Sequence, residues 1–345
     1  MRILELVKNC TRIGITGHEN PDGDCAGSCC GLALYLRKVM PQATVDIYLE
    51  SMPDALVRNI PGADTIIHDV TGKEEDYDAF IVLDSEPART GKAEQLYKRA
   101  GLKINIDHHR TNAGSGSAQC YIDGSASSAC ELVYEVIDKE QLDAQIAKAL
   151  YVGIVTDTGV FQYSNTSEST MKAAGHLLSF GFDHSAVIRE VFFERTFVQA
   201  RALGKALTSA ERLLDGKLIL CSFDRATMEE LGADRKDLDG ISAQLLLTEG
   251  ADVSVFLHES EPGLWRASMR SVNVTDVSKT ASMFAGGGHI RAAGCTIRSD
   301  IKTAVRDIKD DIARQLADAH VIETEREKNS PKGNAIHVSW NDDNL

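Results

Sequence analysis

Ala79-Phe80-Ile81-Val82-Leu83-Asp84 and Leu102-Lys103-Ile104-Asn105-Ile106-Asp107, the second followed by His108-His109, decide the fold. Each is a short run with an apolar centre that ends in an acid. A strand without polar alternation is buried on both faces, the condition of a parallel sheet covered by helices. Upstream, Arg12-Ile13-Gly14-Ile15-Thr16-Gly17 and Thr44-Val45-Asp46-Ile47-Tyr48-Leu49 read as two more strands. Residues 25–40 between them, apolar nearly all round, read as a buried helix. Downstream, Ser128-Ala129-Cys130-Glu131 is a capping box opening a helix through Ile137. A second helix runs from about Gln141 to Val155, and a third spans 167–178 with Gly181 closing it. The expected fold class is α/β, a parallel-sheet N-terminal domain with a smaller α/β C-terminal domain across a cleft.

The 345 residues exceed one typical domain. Residues 1–185 form the first expected domain, 186–214 a charged helical linker, 215–322 the second domain and 323–345 a mobile tail. In the second domain, strands are expected near 217–223, 251–258 and 264–270, and helices over 237–247, 276–284 and 301–317. Net charge is 37 − 51 = −14, which argues against a broad basic footprint for long duplex nucleic acid. It leaves room for a short or mononucleotide substrate gripped by a few cations. No apolar run approaches the length of a membrane span, and the first residues lack a signal-peptide core, so a cytoplasmic location without membrane attachment is expected. The eight cysteines include no Cys-x-x-Cys pair. Cys25, Cys29 and Cys30, among Ala and Gly, read as small residues for helix packing.

The ionisable residues fall at strand ends. His18-Glu19-Asn20-Pro21-Asp22-Gly23-Asp24 follows the first strand, Asp84 closes another, Asp107-His108-His109 a third, and Asp157 follows the second helix. Each alone has an ordinary structural use: Pro-Asp-Gly is a turn tripeptide, an Asp caps helices, and a His pair sits well on a surface. Together they matter more, because sites in open parallel sheets form outside the carboxyl ends of the strands. Imidazole nitrogen mixed with carboxylate oxygen suits Mn²⁺, with Mg²⁺ or Fe²⁺ as alternatives. Asp22, Asp24, Asp84 and Asp157 carry four negative charges that two divalent ions would balance. In the second domain, Gly286-Gly287-Gly288-His289, with Ala292-Ala293-Gly294 behind it and Arg270 ending a strand, fits either a glycine-rich turn or a backbone cradle for phosphate.

His18-x-x-Pro21-Asp22-x-Asp24-x-x-Gly27-Ser28, then Asp84, then Asp107-His108-His109, then Asp157 resemble the four ordered motifs of the DHH phosphoesterase superfamily. The Gly-Gly-Gly-His tract resembles the motif of its associated C-terminal domain, and the compact length is most similar to the nanoRNase and 3'-phosphoadenosine 5'-phosphate phosphatase group. Cys25 and Cys29 stand where small residues are more usual. The resemblance implies one metal on His18, Asp22 and Asp84, and another on Asp24, Asp84, His108 and Asp157. Asp107 would orient a histidine, and His109 would face the substrate phosphate. It implies hydrolysis of short oligonucleotides or 3'-phosphoadenosine 5'-phosphate by a hydroxide activated between two metals about 3.5–4 Å apart. Arg270, Gly287, Gly288, His289, Arg291 and Arg110 are the expected substrate contacts. The partners expected are short single-stranded RNA or small phosphonucleotides, with a homodimer left open. The alternatives are a cyclic or linear dinucleotide phosphodiesterase, then a RecJ-like single-strand exonuclease or a non-catalytic nucleotide-binding module.

Overall fold

Six strands of the first half, β1 (Arg12–Thr16), β2 (Thr44–Tyr48), β3 (Ile66–Ile67), β4 (Ala79–Leu83), β5 (Leu102–Asp107) and β6 (Gln119–Ile122), hydrogen-bond in the order β3-β2-β1-β4-β5-β6. Every pairing is parallel. The computed structural model describes residues 2–72, 76–114 and 116–329, and the chain divides into two compact units, 1–194 and 195–345. β4 lies between β1 and β5, and all five of its residues are buried, as its lack of alternation requires. From β1 the chain winds outward through β2 and β3, then returns to place β4 on the other side of β1. The order reverses between β1 and β4, so the loops after these strands diverge and leave a crevice there. The residues after β1 begin with Gly17 and His18, and the residue after β4 is Asp84.

The helix Gly23–Val39 packs on this sheet, and the helix Ala144–Asp157 packs closely against that helix. Their approach depends on glycine: a Cβ on Gly27 would lie 2.6 Å from the Ala149 carbonyl oxygen, and one on Gly153 would clash with the Cys130 thiol. Close contact is what carries Asp157, the last residue of the second helix, toward Asp24 in the first turn of the other.

The second unit is a mixed sheet in the order β11-β12-β10-β9-β8-β7, from β7 (Glu211–Leu213), β8 (Leu218–Phe223), β9 (Val253–Glu261), β10 (Leu264–Ser271), β11 (Gly287–His289) and β12 (Ala292–Arg298). Only β8 and β9 run parallel. Trp265, Ala267 and Met269 of β10 join Val277 and Ala281 of the helix Val277–Ser282 and Ile308 and Ile312 of the helix Ile301–Asn329 in one core. Phe256 joins Ala202 and Ala206 of the helix Phe197–Ser209 in another, so that helix, inside the stretch read as a linker, lies within the second unit. The helix expected over 237–247 breaks at Gly240, whose φ of 80° is left-handed, into a 3-10 turn and the helix Ile241–Leu246. Of the tail expected from 323, residues 330–345 lie outside the described residues, and 323–329 continue the helix Ile301–Asn329. No helix among the described residues is long and apolar enough to cross a membrane.

Candidate metal centre

Asp84 stands at the centre of the crevice. It is 3% exposed, its φ of 54° lies in the left-handed region, and its Oδ1 is buried with no hydrogen-bond partner. Two imidazoles flank it: His18 Nε2 is 3.3 Å from Oδ2 and His108 Nε2 is 3.3 Å from Oδ1. His18 Nδ1 lies 2.8 Å from the Glu19 carbonyl oxygen, so Nδ1 carries the proton and Nε2 is left to ligate. His18 Nε2 also lies 3.8 Å from Asp22 Oδ1. On the other side His108 Nε2 lies 3.9 Å from Asp24 Oδ2 and 3.7 Å from Asp157 Oδ2.

The surrounding structure fixes these groups. Asp22 caps the helix Gly23–Val39, accepting hydrogen bonds from the backbone of Asp24 and Cys25. Asp24, 1% exposed, accepts from the backbone N–H groups of Ala129 (2.6 Å) and Cys130 (2.9 Å), the first two residues of the helix Ala129–Val136. A helix N-terminus is a natural seat for a carboxylate. Asn165 Nδ2 donates to the Asp157 backbone carbonyl and lies 3.5 Å from its carboxylate. Asp107 is wholly buried, accepting from Asn112 Nδ2 at 2.6 Å and pairing with His109 Nδ1 at 2.7 Å. His109 Nδ1 also lies 3.6 Å from Asp84 Oδ1.

The protonation pattern is that of crowded carboxylates. Burial, then the charges of Asp84 and Asp157, push the Asp24 carboxyl well above its ordinary value. Burial raises Asp157 to about 6, with His108 opposing and Asp84 and Asp22 adding to the rise. Burial works to lower His108, but Asp84, Asp24 and Asp157 outweigh it and raise the imidazole to about 10. His18 rises for the same reason, through Asp22 and Asp84. Ligating atoms of Asp24, His108 and Asp157 fall within 4.8 Å of one another, as do those of His18, Cys25 and Asp84, and those of Asp84, Asp107, His108 and His109. The donor chemistry and the orphaned Asp84 oxygen fit divalent cations. The six residues expected as ligands therefore meet in one place. Sequence reasoning missed the supporting Asn165; Cys25 is buried in the core as expected of a packing residue, and its sulfur also lies near His18 and Asp84.

Arg110 is exposed, its Nε donating to the Gly124 carbonyl. In the second unit Arg270 is half-buried on β10, Arg291 is exposed and donates to the Thr275 carbonyl, and Gly287, Gly288 and His289 form the exposed edge strand β11. The glycines serve that pairing: a Cβ on Gly288 would strike the Ala292 carbonyl of β12.

Comparison with known proteins places this geometry. The model of the DHH family, N-terminal domain, matches residues 12–154, and that of the DHHA1 domain matches 216–318. The bifunctional oligoribonuclease and PAP phosphatase NrnA of Thermus thermophilus is 30% identical over 321 residues, 89% of this chain and 91% of that one. The chain belongs to the DHH family. It is a DHH phosphoesterase, a hydrolase that carries a DHH and a DHHA1 domain. The NrnA of Bacillus subtilis is 27% identical over 288 residues, 82% of this chain and 88% of that one. An exopolyphosphatase-related protein of Bacteroides fragilis shares the fold of this DHH phosphoesterase with a TM-score of 0.81, at 24% identity over 90% of this chain and 94% of that one.

Proposed function

We propose that this DHH phosphoesterase hydrolyses short oligoribonucleotides and 3'-phosphoadenosine 5'-phosphate with two divalent cations, Mn²⁺ preferred to Mg²⁺. His18, Asp22 and Asp84 hold one cation, and Asp24, Asp84, His108 and Asp157 the other. The observation that carries this reading is Asp84: a buried carboxylate with an unpartnered oxygen, each of its two oxygens 3.3 Å from a different imidazole. A ligand shared between two cations would present both oxygens in that way. When bound, the cations supply charge neutralisation at phosphorus and a water of lowered pKa. The names and near full-length coverage of the NrnA relatives support the substrate class.

The chain's own groups do the rest. His109 directs Nδ1 at Asp107, which, with burial opposing, raises the imidazole above its ordinary value. Its Nε2–H is thereby kept as a donor for a phosphate oxygen or for the departing alkoxide. Arg110, and in the second unit Arg270, Arg291, His289 and the backbone of Gly287 and Gly288, supply contacts to substrate phosphates. A panel at fixed Mn²⁺ tests the reading: 3'-phosphoadenosine 5'-phosphate, RNAs of two, five and twenty-four nucleotides, cyclic dinucleotides and pyrophosphate. Fast turnover of the first three substrates, slow turnover of the longest RNA, and loss of all turnover in Asp84→Ala are expected. Preference for cyclic dinucleotides or pyrophosphate, or an Asp84→Ala variant at parental rate, would overturn it.

A further inference from the structure

The second unit contains a cavity of about 570 Å³ lined by none of the expected metal ligands and none of the six expected substrate contacts, although Gly286 and Gly294 of the glycine-rich tract form part of its wall. His258 pairs with Arg266 and Phe256 with Ser268 across β9 and β10, so these four side chains project from one face of the sheet. All four line the cavity, together with Arg235 and Phe284. Neither guanidinium makes a hydrogen bond or an ion pair with any described residue; Arg235 is exposed and Arg266 half-buried, and Asp239 also lines the cavity, near enough for Arg235 to oppose the rise that burial gives its carboxyl. His258 is 9% exposed, stacks on Phe256 and has no hydrogen-bond partner among the described residues. Burial, then the nearby Arg266 and Arg235, lower it to about 4, so at neutral pH the ring offers one donor and one acceptor. Ala285, at the cavity wall beside Phe284, has a left-handed φ of 53°, a strain that structures retain mainly where it serves a site.

Two unpaired guanidinium groups ask for an anion with several oxygens, which they recognise in pairs of parallel hydrogen bonds. A neutral, buried and unpartnered imidazole asks for a planar polar group. The volume lies within the range of small-molecule sites and exceeds what a lone phosphate requires. We propose that this cavity is a second nucleotide site, built from none of the residues expected to hold the cations, in which Arg235 and Arg266 grip a nucleotide phosphate and His258 meets the base. That nucleotide is either a free nucleoside monophosphate or one unit of a bound RNA. The site stands independently of which phosphoester the metal centre cleaves.

Calorimetric titration of the full chain in EDTA with adenosine 5'-monophosphate tests it without catalysis. Saturable binding of one equivalent is expected, weakened at least tenfold in the Arg235→Gln/Arg266→Gln double variant with its melting transition unchanged. Absence of binding at millimolar nucleotide, or undiminished binding in the double variant, overturns the proposal. Each single variant gives a second reading should the double variant fail to fold, and each is expected to bind more weakly than the parent. Kinetics with Mn²⁺ then separate the two sources. A KM for five-nucleotide RNA raised tenfold in the double variant, with that for dinucleotide unchanged, marks an RNA unit as the occupant. Two unchanged KM values mark the free nucleotide.

Discussion

Asp84 occupies a backbone conformation that few residues tolerate. A left-handed φ is steric strain for most side chains, and Asn shares with Asp the best tolerance after Gly. Asp84→Asn therefore keeps the backbone while removing a charge that crowds Asp24 and Asp157. In EDTA this variant should melt at or above the parental temperature, and Mn²⁺ should no longer raise it. Asp84→Ala should melt lower in EDTA, by the equivalent of about 1–2 kcal/mol for a non-Gly residue in that conformation. A scan in which Mn²⁺ stabilises Asp84→Asn as much as the parent removes Asp84 from the ligand set. The six grouped residues were legible because residue type and strand-end position carry their chemistry: four segments end alike in Asp or His. The contacts that Asn112, Asn165 and Cys25 make beside them were not, since an amide or a thiol has many uses and only the folded packing sets Asn112 against Asp107 and the Cys25 sulfur near His18 and Asp84.

At the scale of elements, the helix Ala129–Val136 acts as a bracket. Its first N–H groups hold Asp24, while Glu131 in its first turn, 1% exposed, ties down the loop before it. Glu131 accepts from the Ser127 backbone and hydroxyl, from Thr170 Oγ1 and from Ser169 Oγ, and Asn165 links Ser127 to Asp157. Burial alone would raise this carboxyl, but those donors outweigh it and hold the group below its ordinary value. A folded pKa below the unfolded one gives stability present above the unfolded value and lost as pH falls through the folded one. Glu131→Gln sets an amide N–H against these donors, and should cost about 1–3 kcal/mol at pH 7. The difference from the parent should shrink below about pH 4.3. Mn²⁺ affinity should fall about 10- to 100-fold, the usual effect of removing a group that orients metal ligands. Urea melts at pH 7 and pH 3.5 with a Mn²⁺ titration check this; equal losses at both pH values would mean that the Glu131 charge is not what stabilises the bracket. The N-cap at Ser128 was readable because its side-chain to N–H bond is local, but the other half of the expected capping box is absent, since Glu131 accepts from the Ser127 backbone instead of from that of Ser128. β6 and β11 were not: Gln119–Ile122 is a short edge strand without a buried face, and Gly287–His289 has no strand propensity and exists only because β12 pairs with it.

At the scale of the molecule, the acid excess and the two cores make one joint prediction. Each unit has its own buried core: Ile81, Ile104 and Leu150 belong to the first, and Leu220, Val255 and Met269 to the second. Without cations, the first unit keeps raised carboxyls at Asp24 and Asp157 and raised imidazoles at His18 and His108. Cations must displace those protons, so Mn²⁺ binding at pH 7 should release protons, readable as a dependence of the calorimetric heat on the buffer. A ligand that binds only the folded state stabilises it by about 2.7 kcal/mol at one hundred times its dissociation constant. The proposed Mn²⁺ ligands all lie in residues 18–157, so in scanning calorimetry Mn²⁺ should raise the melting of the first unit and leave that of the second in place. Adenosine 5'-monophosphate in EDTA should do the reverse, because Arg235, His258 and Arg266 all lie in the second unit. Both effects should persist singly when the other ligand's site is broken, Mn²⁺ stabilisation in Arg235→Gln/Arg266→Gln and nucleotide stabilisation in Asp84→Asn. If Mn²⁺ lifted both transitions equally, or the nucleotide acted only on the first, the assignment of one ligand to each unit would fail.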